Sequence, residues 1–445
     1  MKDHAKYKIP SEVLDVTEKL HKAGFEAHLI GGCVRDLLMS RVPKDWDIAT
    51  NAAPEKIQEL FEKTFYENDY GTVGVVNERT KDPTVEVVEV TPYRIEATYS
   101  NMRHPDSVSF GGKLEDDLRR RDFTINAIAY NPQTGEITDI HKGQKDIKDK
   151  IIRVVGDGAS RFGEDALRIL RAVRLAAELG FEVSNETQKA IKKMAYNLDH
   201  IAKERIRDEF VRIIMSSRPK NGLELAHKLE ILTYIAPELE EGIGVEQNQA
   251  HSYEVWEHLT NTMQAAADKE WSLELRLAAL LHDIGKPRTR KRSEDGSDWT
   301  FYGHQVVGAR MARTILHTLK FSKKTIEKVV KLVRWHMFFS DTEVVTLSAV
   351  RRLTRNVGKE NVWDLMNLRV ADRIGTGRPK ERPYRLRKYE AMIEEALRDP
   401  ISVGMLEIDG SRIMEVTQET PGPRIGYLLH ALLDEVLDDP GRNTK

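Results

Sequence analysis

The alternation of apolar and polar residues predicts strands and helices near the start of the chain and helices further on. Apolar positions recur at helical spacing over residues 11–23 and 54–65. Residues 70–76 and 85–91 alternate instead with the period of two that is typical of half-buried strands. From Ile151 onwards the period is helical and predicts no further strand. We therefore expect an α+β fold whose strands all precede that residue.

The first region also joins a glycine pair to two aspartates. Residues 26–30 predict a short strand, and Gly31-Gly32 predicts a turn at which backbone amides can approach a ligand closely. A second strand is expected after the short helix that follows, and residues i and i+2 of a strand share a face. Asp45 and Asp47 would then point one way, whereas the apolar residue that follows each of them would face the core.

Two carboxylates on one strand face repel each other unless a divalent cation lies between them. Such a pair suits Mg²⁺-assisted phosphoryl or nucleotidyl transfer, in which metal ions bridge the carboxylates, the triphosphate and the attacking oxygen. Glu86 or Glu89 could add a third carboxylate. Because they are three positions apart, they face opposite sides of the predicted strand, so at most one of them can join the site.

Two longer motifs make the aspartate pair specific. Gly-Gly-x-Val-Arg-Asp at residues 31–36 precedes the pair, and Arg-Arg-Asp-Phe-Thr-Ile-Asn-Ala occupies residues 120–127. Together they resemble the class II tRNA nucleotidyltransferase and bacterial poly(A) polymerase family. The resemblance covers nearly the whole chain. It implies a polymerase-β-like head, a helical neck, an HD domain and a helical tail, at residues 1–150, 151–250, 251–375 and 376–445.

The resemblance assigns the nucleotide site to one glycine and several polar side chains. It makes Arg121 a counter-charge for the triphosphate, Asp122 an acceptor for a ribose hydroxyl, and Asn126 a residue that fixes their geometry. It also favours Glu89 as the third carboxylate, because Glu-Val-Thr-x-x-Arg is a segment of the family. The implied set has Asp45 and Asp47 as catalytic Mg²⁺ ligands and a nucleotide bound by Gly32, Arg35, Arg121, Asp122, Asn126, Asp165, Arg168, Arg171 and Arg174.

Within this set, Asp165 and Arg168 can read a base edge. The helical period places them three apart on one helix face, with an acceptor beside a donor. Cytosine and adenine each present an amine next to an acceptor nitrogen, whereas guanine and uracil present a carbonyl next to an N–H. The pair can therefore accept C and A and reject G and U, since a wrong base leaves polar groups unpaired. A surface ion pair is the alternative, and the match to the family's nucleotide-selecting motif favours base reading. Residues 203–210 resemble the segment that buttresses this helix.

A second set of candidate ligands is spread over helical segments beyond residue 250. A single histidine on such a segment is more often a satisfied core residue than a ligand. The order of this set, however, resembles the HD metal-dependent phosphohydrolase superfamily, with all positions filled by His258, His282, Asp283, His304, His336 and Asp372. Nitrogen and oxygen ligands without a thiolate suit Mg²⁺, Mn²⁺, Co²⁺, Ni²⁺ or iron rather than a structural zinc. The chain could thus hold a second divalent metal and have phosphohydrolase activity.

Composition narrows the class of partner. Lys and Arg number 69 against 71 Asp and Glu, so an RNA site must be a local basic patch, for which residues 286–292 and 377–388 are candidates. The single cysteine, Cys33, excludes an internal disulfide and fits a reducing cytosol. The chain has no apolar run of about 18 residues and does not begin with a secretory signal. We therefore expect a cytoplasmic protein without a membrane partner.

The expected activity is that of a CCA-adding tRNA nucleotidyltransferase, which transfers CMP and AMP from CTP and ATP to the tRNA 3′ end. Enzymes that add only CC or only A, and poly(A) polymerases, share the head motifs and stay open. The aperiodic residues 97–112 are expected to form a mobile loop that helps the pocket change from C to A. An alternative of another class is an HD phosphohydrolase regulated by a nucleotide-sensing head, although a sensor would not need Asp45 and Asp47. The oligomeric state is left open.

Overall fold

The computed structural model describes residues 7–66, 71–96, 108–248, 252–338, 344–378 and 380–445. The chain forms two compact units. The first comprises residues 1–209 and 228–234, and the second comprises residues 210–227 and 235–445. The finer division into head, neck, HD and tail regions stays a prediction.

A seven-stranded mixed sheet is the centre of the first unit. The strands of this unit are β1 (Ala27–Ile30), β2 (Asp47–Thr50), β3 (Thr64–Tyr66), β4 (Val73–Val76), β5 (Val87–Pro92), β6 (Arg94–Glu96), β7 (Val108–Phe110), β8 (Ala129–Tyr130), β9 (Ile137–Thr138), β10 (Ile151–Ile152) and β11 (Glu182–Val183). The sheet order is β3-β4-β5-β2-β1-β8-β9. Strands β2 and β5 pair in parallel, whereas the other neighbours in the sheet are antiparallel.

Helices cover both faces of this sheet. The first unit contains α1 (Ser11–Lys22), α2 (Gly32–Leu38), α3 (Pro54–Leu60), α4 (Leu114–Arg119), α5 (Gly143–Asp149), α6 (Gly158–Glu164), α7 (Leu167–Leu179) and α8 (Asn185–Met194). Leu20 of α1 belongs to the same buried cluster as Trp46 and Ile48. On the other face, Leu118 of α4 packs in a cluster with Ala49. The predicted inward orientation of Trp46 and Ile48 is therefore confirmed.

The second unit is mainly helical. Helix α9 (Lys203–Met215) crosses the boundary, and its successors are α10 (Pro219–Lys228), α11 (Val255–Asp268), α12 (Leu273–Leu281), α13 (Lys286–Thr289), α14 (His304–Thr318), α15 (Lys323–Trp335), α16 (Leu347–Val357), α17 (Val362–Gly375), α18 (Tyr384–Ala396), α19 (Gly410–Thr417) and α20 (Pro423–Asp438). A small hairpin of β12 (Lys291–Arg292) and β13 (Trp299–Thr300) interrupts them. A sheet region followed by helices confirms the α+β class.

Several predicted element boundaries are wrong. Strand β2 begins at Asp47, so Asp45 lies in the bend before it. Residues 54–65 are divided between α3 and β3. Of the expected loop at residues 97–112, residues 108–110 form β7, and residues 97–107 lie outside the described part. The pairs β10–β11 and β12–β13 lie beyond Ile151, where no strand was expected, because strands of two residues are too short to show an alternating pattern.

Candidate active sites

The glycine turn and the two aspartates meet in the first unit. Gly31 has a φ of 80°, and a Cβ at this position would lie 2.9 Å from Nη1 of Arg121 and 3.3 Å from Oδ2 of Asp47. A Cβ at Gly32 would lie 4.0 Å from Oδ1 of Asp45. The glycine pair thus brings the start of α2 against both carboxylates and leaves space there that a side chain would fill. Carboxylate oxygens beside such a space are the ligands that Mg²⁺ prefers.

The register of the sheet selects the third carboxylate. Asp47 of β2 lies directly opposite Glu89 of the parallel strand β5. Side chains at paired positions of neighbouring strands project from the same face of the sheet. Both residues are half-buried, whereas Glu86 precedes β5 and is exposed. The structure therefore places Glu89, and not Glu86, beside the aspartate pair.

A chain of polar contacts links the predicted nucleotide residues. Nη1 of Arg35 donates to Oδ1 of Asn126 at 2.8 Å, and Nδ2 of Asn126 lies 3.4 Å from Oδ1 of Asp122. Oδ2 of Asp122 lies 2.7 Å from Nη2 of Arg171. Burial favours the neutral form of Asp122, but the charges of Arg171 and Arg168 outweigh it and hold the pKa of that carboxyl below its usual value. Asp122 is therefore a buried anion held between two arginines.

Arg121 is oriented by a residue to which the sequence analysis gave no role. Nε and Nη2 of Arg121 each lie 3.2 Å from Oδ2 of Asp117, whose side chain is buried. Burial raises the pKa of Asp117, and Arg121 and Arg120 lower it by more, so that it lies below its usual value. The i,i+4 spacing of Asp117 and Arg121 is the sequence signal that could have indicated this pair.

Asp165 and Arg168 do not share one helix, which corrects the predicted geometry. Asp165 has an extended backbone (φ −143°, ψ 103°) between α6 and α7. Its Oδ1 accepts from the N–H of Leu167 at 3.1 Å, and its Oδ2 lies 3.2 Å from Nη2 of Arg205. Arg168 in α7 donates from Nη1 to Glu164 at 2.6 Å. A capping residue at a break between two helices has displaced the expected i,i+3 arrangement, and each member of the pair is fixed by its own partner.

Arg174 is held by a carboxylate on another helix. Its side chain is buried, and Nη1 lies 2.9 Å from Oε1 and 3.0 Å from Oε2 of Glu209. Arg205 and Glu209 are both in α9, so this helix contacts the base-reading segment at two points. These contacts agree with the buttress expected at residues 203–210.

The six candidate ligands of the HD set converge in the second unit. They form two groups, His258 with His282 and Asp372, and Asp283 with His304 and His336, and within each group the ligand atoms lie within 4.8 Å of one another. Gly285 allows His304 to approach Asp283, because a Cβ at position 285 would lie only 2.4 Å from the carbonyl oxygen of His304. The six predicted positions are thus brought together on separate helices and at their ends.

Backbone carbonyls fix the orientation of three of the imidazoles. Nδ1 of His282, His304 and His336 lies 2.9, 2.7 and 2.7 Å from the carbonyl oxygens of Ala279, Phe301 and Val333. A carbonyl only accepts hydrogen bonds, so Nδ1 carries the hydrogen and Nε2 of the neutral ring presents a lone pair. The Nε2 atoms face inward, at 3.2 Å between His304 and His336. This is the arrangement in which histidines bind metals.

Asp283 lies between the two groups. Its Oδ1 is 3.1 Å from Nε2 of His304, and its Oδ2 is 3.2 Å from Nε2 of His282 and 2.6 Å from Nζ of Lys286. Burial raises the pKa of Asp283, but the charge of Lys286 and the contacts with the imidazoles of His258 and His282 hold that pKa well below the usual value. Burial lowers the pKa of His258, whereas hydrogen bonds to both aspartates raise it to about 9. One carboxylate with an oxygen toward each group can bridge two cations.

A cavity of about 360 Å³ opens onto these ligands. Cationic side chains line it together with Trp299 and Tyr302, namely Lys286, Arg369, Arg373 and Arg378. Lys286 and Arg378 belong to the basic segments predicted to contact RNA, but none of the four cationic residues was predicted to line the HD centre, because they become neighbours only through helix packing. A cavity with cations around a ligand cluster suits an anionic substrate such as a phosphate ester.

Comparisons with known proteins find relatives over most of the chain. Family models match for the poly A polymerase head domain over residues 27–153, the probable RNA and SrmB-binding site of polymerase A over residues 180–243, and the HD domain over residues 250–388. The structure is similar to that of the CCA-adding enzyme of Bacillus stearothermophilus in complex with CTP. The TM-score is 0.72 at 28% identity, and 98% of this chain and 94% of that chain are covered.

The sequence relatives differ in how much of each chain is aligned. A CCA-adding enzyme of Leuconostoc mesenteroides is 41% identical over 266 residues, or 58% of this chain and 65% of the relative. For two similar relatives the matched segment spans 56% and 55% of their length. A CC-adding tRNA nucleotidyltransferase of Thermus thermophilus is 34% identical over 429 residues, or 92% of this chain and 89% of the relative.

Every helix in the described segments is too short or too polar to span a bilayer.

The resemblance inferred from the motifs is confirmed by matches over the head, the RNA-binding segment and the HD domain, and by a relative aligned over most of both chains. The chain therefore belongs to the tRNA nucleotidyltransferase family that contains CCA-adding and CC-adding enzymes.

Proposed function

We propose that the protein adds CMP and then AMP to the 3′ end of tRNA, using CTP and ATP. The observation that carries the proposal is the meeting of Asp45, Asp47 and Glu89 at the glycine turn. In the reaction the 3′ oxygen of the RNA loses its proton and bonds to the α-phosphorus of the nucleotide, and the bond from that phosphorus to the leaving pyrophosphate breaks.

The three carboxylates are proposed to hold Mg²⁺. The fit rests on an all-oxygen donor set beside a space that any side chain at Gly31 would fill. Bound Mg²⁺ would supply Lewis-acid stabilisation of the charge that develops on the phosphate.

The remaining side chains bind and orient the nucleotide. Arg121 is held by Asp117 next to Gly31, where its charge can neutralise a triphosphate. Asp122 is kept ionised by Arg171 and is therefore an acceptor for a ribose hydroxyl at neutral pH. Such an acceptor favours ribonucleotides, since a deoxynucleotide leaves it without that hydrogen bond.

Base choice is proposed to rest on Asp165 and Arg168. Their separate anchors, Arg205 and Glu164, hold an acceptor and a donor in fixed places. A fixed acceptor and donor match the amine and ring nitrogen of C or A, and they oppose the carbonyl and N–H of U or G.

A CC-adding enzyme is the second candidate for the head. It is favoured by the Thermus thermophilus relative, which carries that name and aligns with 92% of this chain. The test uses tRNA that lacks CCA, incubated with CTP alone, ATP alone or both, and resolves the products by length. The proposal expects two residues with CTP alone and three with both nucleotides. Failure to extend with CTP would contradict it.

For the HD centre we propose a metal-dependent phosphohydrolase with two cations bridged by Asp283. Support comes from the two ligand groups, the inward Nε2 atoms and the cation-lined cavity. Divalent transition metals suit histidine and carboxylate ligands better than Mg²⁺ does. The test is the metal content of the purified protein together with hydrolysis of phosphate esters, with and without added Mn²⁺, Co²⁺ or Ni²⁺. A protein that neither holds such metals nor hydrolyses esters would contradict the proposal.

A further inference from the structure

A reader of the Watson–Crick edge alone cannot tell C from A. Both bases present an amine beside an acceptor nitrogen to Asp165 and Arg168. The two bases differ on the other side of that amine, where adenine has the acceptor N7 and cytosine has a C–H group. A pocket that adds both nucleotides in order therefore gains from a donor placed on that side of Asp165.

Arg205 offers such a donor. It lies in the first turn of α9, and its Nη2 is 3.2 Å from Oδ2 of Asp165. Its other terminal nitrogen, Nη1, is buried and has no hydrogen-bond partner in the part of the chain that the structure describes. A buried guanidinium nitrogen without a hydrogen-bond acceptor carries a free-energy cost. A ligand that supplies an acceptor removes this cost, and its binding is favoured accordingly.

We propose that Arg205 donates a hydrogen bond to N7 of adenine while Asp165 accepts one from the adenine amine, a role that rests on the proposed function. An acceptor and a donor side by side match the amine and N7 of adenine, as the amide of an asparagine does in DNA recognition. The carboxylate of Asp165 has lone pairs enough to bind Arg205 and the base together. Arg205 is thereby a specificity-determining residue for AMP addition.

The proposal predicts an asymmetry between the two nucleotides. Cytosine places a C–H group where adenine has N7, so Arg205 makes no hydrogen bond to CTP. Loss of Arg205 should slow AMP addition to tRNA ending in CC more than CMP addition to tRNA ending in C, because CMP addition loses only the anchor of Asp165. A residue that only anchored Asp165 would affect both additions alike.

The experiment measures single-turnover addition of ATP and of 7-deaza-ATP, which lacks the N7 acceptor, to tRNA ending in CC. The unsubstituted enzyme should use ATP about 10- to 100-fold better than the analogue, the range expected for one hydrogen bond from a charged donor. Arg205→Met should lower the rate with ATP to that with the analogue. Arg207→Met is the matched control, because Arg207 lies on the same helix with 28% of its side chain exposed against 25% for Arg205.

The possible results distinguish a failure of the proposed role of Arg205 from a failure of the proposed nucleotide addition. Equal use of ATP and 7-deaza-ATP by the unsubstituted enzyme would overturn it without any variant. A preference for ATP that survives in Arg205→Met, or equal losses of CMP and AMP addition in that variant, would overturn it too. No addition of either nucleotide by the unsubstituted enzyme would instead contradict the proposed function.

Discussion

The two candidate metal sites of this chain are built on opposite plans. In the head, Asp45 is exposed and Asp47 and Glu89 are half-buried, and the three offer oxygen atoms only. In the HD centre, the four histidines and Asp283 are buried, Asp372 is half-buried, and three of the imidazoles are oriented by backbone carbonyls. The first site is the more exposed and is built on strands, whereas the second lies at a cavity and is built on helices.

The difference indicates what each metal is for. A few carboxylates at an open site leave most of the coordination shell of Mg²⁺ to water and substrate phosphates, so the ion is bound firmly only with the nucleotide. A centre with six protein ligands binds its cations without substrate, and its histidines favour transition metals. We therefore expect the two sites to be separable by metal, by substitution and by substrate.

The largest effect is expected from Asp47→Asn. Losing a metal ligand removes several kcal/mol of transition-state stabilisation, so nucleotide addition should fall by about 10³-fold or more, and Asp45→Asn should behave alike. Affinity for tRNA should change little, because these carboxylates contribute no favourable contact to an RNA phosphate. Single-turnover rates and tRNA binding check this. More than a few per cent of residual activity in both variants would refute the assignment.

The reciprocal substitution is His282→Ala. It removes a ligand from the HD centre, so the metal content of the purified protein and its hydrolysis of phosphate esters should both be lost, with Asp283→Ala giving the same result. Nucleotide addition should stay within about twofold, since the head has its own ligands. Metal analysis and both assays on one preparation measure this. Hydrolysis that survives both variants would point to another site.

Glu89→Gln tests whether the third carboxylate of the head site is Glu89, as the register of the sheet indicates. Removing the charge of a third carboxylate should lower nucleotide addition by about 10- to 100-fold, less than removal of an aspartate ligand. The control is Glu86→Gln, an equal change on the exposed residue before β5, and it should leave the rate within about twofold. Similar rates for the two variants would show that Glu89 is not part of the site.

A smaller effect is expected at the base-reading pair. Asp165→Ala and Arg168→Ala should raise incorporation of UTP and GTP relative to CTP and ATP by about tenfold, because the wrong bases no longer leave buried groups unpaired. If the pair only contributed surface ion pairs, base selectivity would not change and the loss would be about 0.3–0.5 kcal/mol of stability. Competition assays with all four nucleotides decide between the two.

The convergence of the six HD candidates could be predicted from the sequence because each lies in a short motif whose order identifies the set. The spacing of Glu86 and Glu89 showed only that one of them at most can join the site, and the family resemblance favoured Glu89. The reason for that choice is strand pairing, which puts Glu89 opposite Asp47 and cannot be read from spacing. The break at Asp165 was missed because the helical period continues on both sides of it. Residues 203–210 were expected to buttress this segment, but Arg205 could not be named as the partner of Asp165 because the contact spans 40 positions of the chain.

The central claim is that one pocket adds both kinds of nucleotide and then stops. Its most direct test is single-turnover incubation of tRNA ending in CC with ATP and Mg²⁺, followed by sequencing of the 3′ ends. We expect one AMP to be added and no second one to follow. No addition would identify a CC-adding enzyme, a long run of A would identify a poly(A) polymerase, and either result would contradict the account.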